Sequence, residues 1–188
     1  LPSGTIVENG YPAYGDTLLQ MPDTAVWTKS DNGSGLLLKD YLDPNYIEGG
    51  AGANFNGLAK AYQEHFKDKS TKNKKIKSSG FRSYAGQVSV RRKAVKRGTC
   101  DSMTVSYGGS CNSARPGRSN HGWASAIDIS FLFHSDGKTW AFKTEEYKWL
   151  KENAAKYGFH NPPWAANVGH ADAEAWHWEV INPVVTPQ

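Results

Sequence analysis

Apolar positions along this chain follow a helical spacing in some stretches and a strand-like one in others. In ANFNGLAKAYQEHF (53–66), Phe55, Leu58, Ala59, Tyr62 and Phe66 recur at the spacing of one helix face. YAGQVSVRRKAVKRG (84–98) reads as a second helix, stopped by Gly98. TEEYKWLKENAAKYG (144–158) predicts the clearest helix, with Thr144 as N-cap, acidic residues in the first turn and Gly158 past its end. Three segments read as strands: KIKSSGFRS (75–83), ending near Gly80; the β-branched run SAIDISFLF (125–133); and AWHWEVIN (175–182). Residues 1–50 are rich in Gly, Pro, Asp and Asn, with short apolar pieces such as TAVWT and GLLLKDYL. They read as an irregular N-terminal extension packed on the domain, with one short strand or turn of helix.

These elements predict an α+β fold, a small central antiparallel sheet flanked by helices, with residues 51–188 as the main domain. At 188 residues the chain is long enough for a real core, and seven Trp, nine Tyr and seven Phe supply large side chains for it. No apolar run approaches the length of a membrane-spanning helix, and a monomer is expected. The chain opens at Leu1 without a signal-like segment, so it reads as processed, trimmed or part of a longer polypeptide. A net charge of +4 points only weakly to an anionic partner, and nucleic acid and bacterial cell wall fit it equally. The basic stretch KDKSTKNKKIK (67–77) is read as a solvated loop, with an electrostatic wall-binding patch as the alternative. Cys100 and Cys111 bracket the loop CDSMTVSYGGSC, whose spacing is not that of a zinc knuckle. A disulfide is favoured over two separate thiols, which would imply an oxidising compartment.

The chemistry centres on SNHGWASAIDIS (119–130). Asp128 sits between two isoleucines in a predicted core strand, where a lone carboxylate is costly unless something cationic meets it. Of the six histidines, His65 and His134 read as solvated or structural. His121 and His177 adjoin predicted core strands, each with a carboxylate nearby, Asp128 for one and Glu174 for the other. Two imidazoles and a carboxylate make a three-ligand zinc set with a fourth position for water; satisfied core histidines remain the alternative. Residues three apart on a regular strand face opposite sides, so Glu174 and His177 address one metal only if the strand begins after Glu174 or a bulge re-aims it. HExxH is absent, which excludes a helix-borne zincin.

These segments together resemble the zinc D-alanyl-D-alanine carboxypeptidase family of the VanY and VanX type. SNHGWASAIDI is similar to its S-x-H-x-x-G-x-A-x-D signature, EAWH (174–177) to its later E-x-x-H, and SGFRSYAGQ (79–87) to the segment carrying its arginine. The helix in EYKWLKENAAKYGF falls where the family has one, and motif order matches from about residue 50 to 182. The resemblance implies that the sheet carries a zinc site, with Zn2+ held by His121, Asp128 and His177. It implies Glu174 as general base and then acid, and Arg82 at the scissile carbonyl or oxyanion. Ser119 would help anchor substrate, with Gln87 and Trp176 as pocket liners. Two departures stand out. Ala124 replaces the signature glycine, and segment 98–118, which includes SARPGR, reads as an insertion placed to form a flap over the site.

The implied function is hydrolysis of peptidoglycan stem peptides at a D-alanine-containing or neighbouring bond, as carboxypeptidase or endopeptidase. The enzyme would be extracellular or wall-associated, of bacterial or phage origin. A catalytically inactive, zinc-stabilised wall-binding module is the alternative, and the presence of both Glu174 and Arg82 argues against it. A nucleic-acid binder has only charge behind it, so no nucleic-acid partner is expected.

Overall fold

Phe55, Leu58, Ala59, Tyr62 and Phe66 are each at most 1% exposed, on one face of α1 (Gly50–Phe66). They anchor the main core of a computed structural model that describes residues 6–8, 11–13, 27–29, 36–38, 50–80, 82, 84–105, 111–116, 119–123, 126–133 and 139–181. Phe55 meets Phe159 edge-on, and Tyr62 stacks on Phe131 and meets Trp149 edge-on. Burial of such rings on one stripe is what holds a helix of this composition in place.

The N-terminal 50 residues depart from the sequence reading. Their described residues form four strands in two antiparallel pairs, β1 (Ile6–Glu8) with β2 (Tyr11–Ala13) and β3 (Trp27–Lys29) with β4 (Leu36–Leu38). Three-residue strands show too little alternation to be read from pattern alone. The Asn9-Gly10 dipeptide between β1 and β2 is nevertheless a sequence signal for a two-residue hairpin. β3 and β4 approach α1.

The central sheet is antiparallel, in the order β5 (Ser78–Ser79), β6 (Ala126–Ile129), β8 (His177–Val180), β7 (Phe159–His160). Ile127, Ile129, Trp178 and Val180 are buried in the main core, while Asp128, His177 and Glu179 alternate with them on the other face. β6 is shorter than the predicted 125–133 strand. It gives way to a 3-10 turn, Ser130–Leu132, which returns Leu132 to the core. The last strand is likewise shortened, because Glu174–His177 form a turn closed by the His177 amide on the Glu174 carbonyl at 3.1 Å.

α3 (Glu145–Asn153) begins where the cap predicted it, with Thr144 Oγ1 accepting from the Tyr147 amide at 3.1 Å. It continues as a 3-10 turn to Tyr157 and ends at Gly158, whose φ of 79° suits glycine. Between β5 and β6, α2 (Tyr84–Lys96) turns a polar face inward: Gln87 and Arg91 are 2% and 0% exposed. Gly98, at φ 73°, follows α2 as the sequence predicted. Cys100 and Cys111 form a disulfide. Ala124 and His134 lie outside the described residues. Among the described residues no helix is long and apolar enough to cross a membrane.

Candidate metal centre

Strand register builds the site. Asp128 on β6 is the cross-strand partner of His177 on β8, which sets their side chains side by side on the face away from the core. His121 arrives from the 3-10 turn Asn120–Trp123, which leads into β6. That turn is tied to the β5 side by the Arg82 amide, which donates to the His121 carbonyl at 3.0 Å. One ligand atom from each of His121, Asp128 and His177 lies within 4.8 Å of the others, and all three residues are buried.

Hydrogen bonds set the two tautomers. His121 Nδ1 is 2.8 Å from the Gly80 carbonyl, which can only accept, so Nδ1 carries the proton and Nε2 offers a lone pair. His177 Nε2 is 2.8 Å from Glu179 Oε1, which leaves Nδ1 for the cluster. Both facing nitrogens, His121 Nε2 and His177 Nδ1, stand 3.3 Å from Asp128 Oδ1. That oxygen is buried without a hydrogen-bond partner. Three acceptors facing one another repel unless a proton or a cation sits among them, so the donor set fits a metal ion. Without metal, burial pulls His177 toward its neutral form. The close approach of Asp128 and Glu179, with their negative charge, outweighs this and raises its pKa to about 10. Asp128 is driven the opposite way: burial raises its pKa, but the two imidazoles outweigh it and hold the carboxyl well below the usual range.

Glu174 enters from the turn ahead of β8, the geometry that lets it share a centre with His177. Its Oε2 is 3.9 Å from His177 Nδ1. Arg82 reaches in from beyond β5. Its Nη1 donates to Gln87 Oε1 at 2.9 Å, and its Nη2 lies 3.5 Å from Asp128 Oδ2. Gln87 therefore joins the site through Arg82. Ser119 is buried immediately ahead of the turn that carries His121. Trp176 stacks on Phe133, with ring centroids 4.6 Å apart, and packs against the main core. It is Trp164, 36% exposed, whose ring lies 5.0 Å from that of His177. His170 is exposed and pairs with Asp172, and it is not one of the three clustered residues.

Two further residues support the centre and escaped the sequence reading. Glu179, fully buried, accepts from His177 and from Asn120 Nδ2 at 2.7 Å, joining a histidine to the turn that holds the other one. Asn161, 1% exposed, donates to the carbonyls of Glu174 at 3.0 Å and His177 at 2.7 Å, and accepts from the Tyr147 hydroxyl. It pins both ends of the turn between the carboxylate and the histidine. Strand alternation marks Glu179, since it sits two positions from His177 on one strand; nothing in the sequence marks Asn161.

No curated protein matches the sequence. Among solved structures, the fold is similar to VanYB in complex with D-alanine-D-alanine, at 18% identity over 90% of this chain and 84% of that one, TM-score 0.51. DacB from Streptococcus pneumoniae D39 matches at 28% identity over 78% and 72% of the two chains, TM-score 0.46. The LdcB LD-carboxypeptidase matches at 26% over 88% and 84%, TM-score 0.46. The family model for VanY, D-alanyl-D-alanine carboxypeptidase, matches residues 54–182, the span that holds the whole cluster. A cluster of two imidazoles and one carboxylate is a donor set that suits zinc. The chain therefore belongs to the VanY D-alanyl-D-alanine carboxypeptidase family.

Proposed function

We propose that the protein is a zinc carboxypeptidase that releases a C-terminal D-alanine from peptidoglycan stem peptides. His121, Asp128 and His177 would hold the metal. The observation that carries this reading is Arg82, a permanent cation braced by Gln87 and Asp128 at the edge of the cluster. A binding module stabilised by zinc has no need of a fixed guanidinium and a second carboxylate, Glu174, beside the ligands.

Zinc, when bound, supplies Lewis-acid activation of water and of the scissile carbonyl. Glu174 takes the proton of the attacking water and passes it to the leaving amine nitrogen. Arg82 presents forked donors that meet either the developing oxyanion or the substrate's terminal carboxylate. Glu179 holds His177 in the ligating tautomer, and Asn161 keeps Glu174 and His177 in register. Peptidoglycan lies outside the cytoplasmic membrane, so we place the enzyme there, and the Cys100–Cys111 disulfide supports an oxidising compartment.

Mass spectrometry of purified muropeptides after incubation with zinc-loaded protein is expected to show loss of one terminal alanine. Cleavage confined to cross-bridges would make it an endopeptidase, and intact muropeptides would reject the proposal. Arg82 has its own test. If it meets the oxyanion, Arg82→Lys should lower kcat by about 10²–10³ with zinc content unchanged. If it clamps the carboxylate, KM should rise and amidated peptides should suffer least. Constants unchanged in both Arg82→Lys and Arg82→Ala would remove it from the site. Glu179→Gln keeps an acceptor for His177 but removes the charge, and is expected to weaken zinc binding by roughly 10–100-fold. Competition with a chromophoric chelator reads this, and an unchanged affinity would make Glu179 a bystander.

A further inference from the structure

The inward face of α2 poses a problem that the reaction does not explain. Arg91 is completely buried, and a buried guanidinium is costly unless its donors are satisfied. Those donors are taken up by one segment: Nε donates to the Ser102 carbonyl at 2.9 Å, Nη2 to that of Val105, and Nη1 to that of Ser113 beside the Cys111 sulfur. The disulfide ties together the stretches that carry these carbonyls, with Ser113 two residues past Cys111, and Cys100 and Cys111 pack with Ala94 of α2 in a small cluster of their own. An apolar side chain would cover the disulfide at less cost. A forked, charged donor set fixes where particular carbonyls stand.

What that segment delivers is a pair of acceptors for Gln87, one helical turn before Arg91. Gln87 Nε2 donates to Ser113 Oγ at 3.3 Å and to the Ala114 carbonyl at 2.7 Å. A carboxamide has a donor end and an acceptor end, so committing the NH2 to the loop obliges Oε1 to face Arg82, which it does at 2.9 Å. Turned over, the amide would set donors against the guanidinium's donors. Among the described residues the other side-chain hold on Arg82, from Asp128 Oδ2, is long at 3.5 Å.

We infer that the stretches 100–105 and 111–114, joined by the Cys100–Cys111 disulfide and strutted by Arg91, are a positioning device for Arg82, acting by fixing the orientation of the Gln87 amide. Gln87 and Arg91 are then positioning residues. This gives a role to the insertion ahead of the zinc motif. It rests on the proposed part of Arg82 in the reaction.

Two variants cut the chain of contacts at different links. Gln87→Met leaves the disulfide and Arg91 in place, and Cys100→Ser with Cys111→Ser opens the loop. Both are expected to keep zinc. In zinc-free protein labelled with ¹⁵N-arginine, the Arg82 Nε–Hε signal, assigned by its absence in Arg82→Lys, should lose order in both. kcat/KM should fall by about 10–100-fold, the scale of a misplaced catalytic group. Neither change should add appreciably to the loss in an Arg82→Ala background, as expected for residues acting through one partner. An Arg82 signal that stays ordered in Gln87→Met overturns the inference, as does a full further loss on top of Arg82→Ala. If the double-serine variant does not fold, Gln87→Met decides alone by these readouts. A wild type that cleaves no muropeptide rejects the proposed function instead, and the order of Arg82 still decides the brace.

Discussion

Glu174→Gln is expected to lower kcat by at least about 100-fold while leaving zinc bound and the fold intact, the scale of a lost general base. Glutamine keeps the shape of the side chain but cannot accept a proton from water at neutral pH. Glu174 lies at the mouth of the turn that begins β8, with Oε2 3.9 Å from His177 Nδ1, and its backbone is fixed by Asn161 and by its own amide N–H, which donates to the Ala165 carbonyl at 2.8 Å. The substitution therefore changes one proton acceptor and leaves the scaffold that holds it. Steady-state kinetics on a stem peptide together with metal analysis test this directly. Near-wild-type turnover in Glu174→Gln would assign the residue a structural role.

Loss of the metal should have the second large effect. His121→Ala and His177→Ala are each expected to lose stoichiometric zinc and activity, whereas His170→Ala should lose neither, because His170 pairs with Asp172 on the surface. At a zinc concentration about a thousandfold above Kd, binding adds roughly 4 kcal/mol of stability. For a chain of this size that corresponds to a fall in Tm of about 8–16 °C on chelation. The sign of the pH dependence follows from His177. Its pKa in zinc-free protein is raised to about 10, and its proton must leave before Nδ1 can ligate. Zinc affinity should therefore rise with pH, by up to about tenfold per unit below pH 10. Calorimetry in buffers of different ionisation enthalpy should detect a released proton between pH 7 and 9. Stoichiometric zinc in both histidine variants would refute the ligand set, and binding without proton release would refute the ionic state of the free cluster.

Much of the helical framework was legible because helices advertise themselves locally. The spacing of Phe55 to Phe66, the Thr144 cap and the glycines at 98 and 158 each state a backbone preference that the surroundings need not supply. Strand ends were less legible. Whether residues 130–133 continue β6 depends on what lies beside them, and Ile129 is the last residue of β6 before the chain turns. The short strands of the first 50 residues were missed for the same reason, since a three-residue strand exists only through its partner.

The candidate ligands came from residue type, order and a family resemblance, and the chemistry of two imidazoles and a carboxylate needs no coordinates to suggest zinc. Their convergence did need coordinates. Cross-strand register puts Asp128 opposite His177, and the turn ahead of β8 lets Glu174 approach a centre that strand alternation alone would deny it. The same distinction separates the residues that escaped notice. Glu179 could have been read from its two-residue offset to His177 on a strand. Asn161 could not, because its role lies in carbonyls supplied by a segment 13 to 16 residues away. Arg91 sits in the run Arg91-Arg92-Lys93, and only the packing of α2 against the disulfide-closed loop selects which of the three is buried. The sequence by itself determined the local elements and the donor chemistry, because both are properties of residues and their near neighbours. Tertiary structure decided which buried polar atoms face one another, because that depends on register and on contacts between segments far apart in the chain.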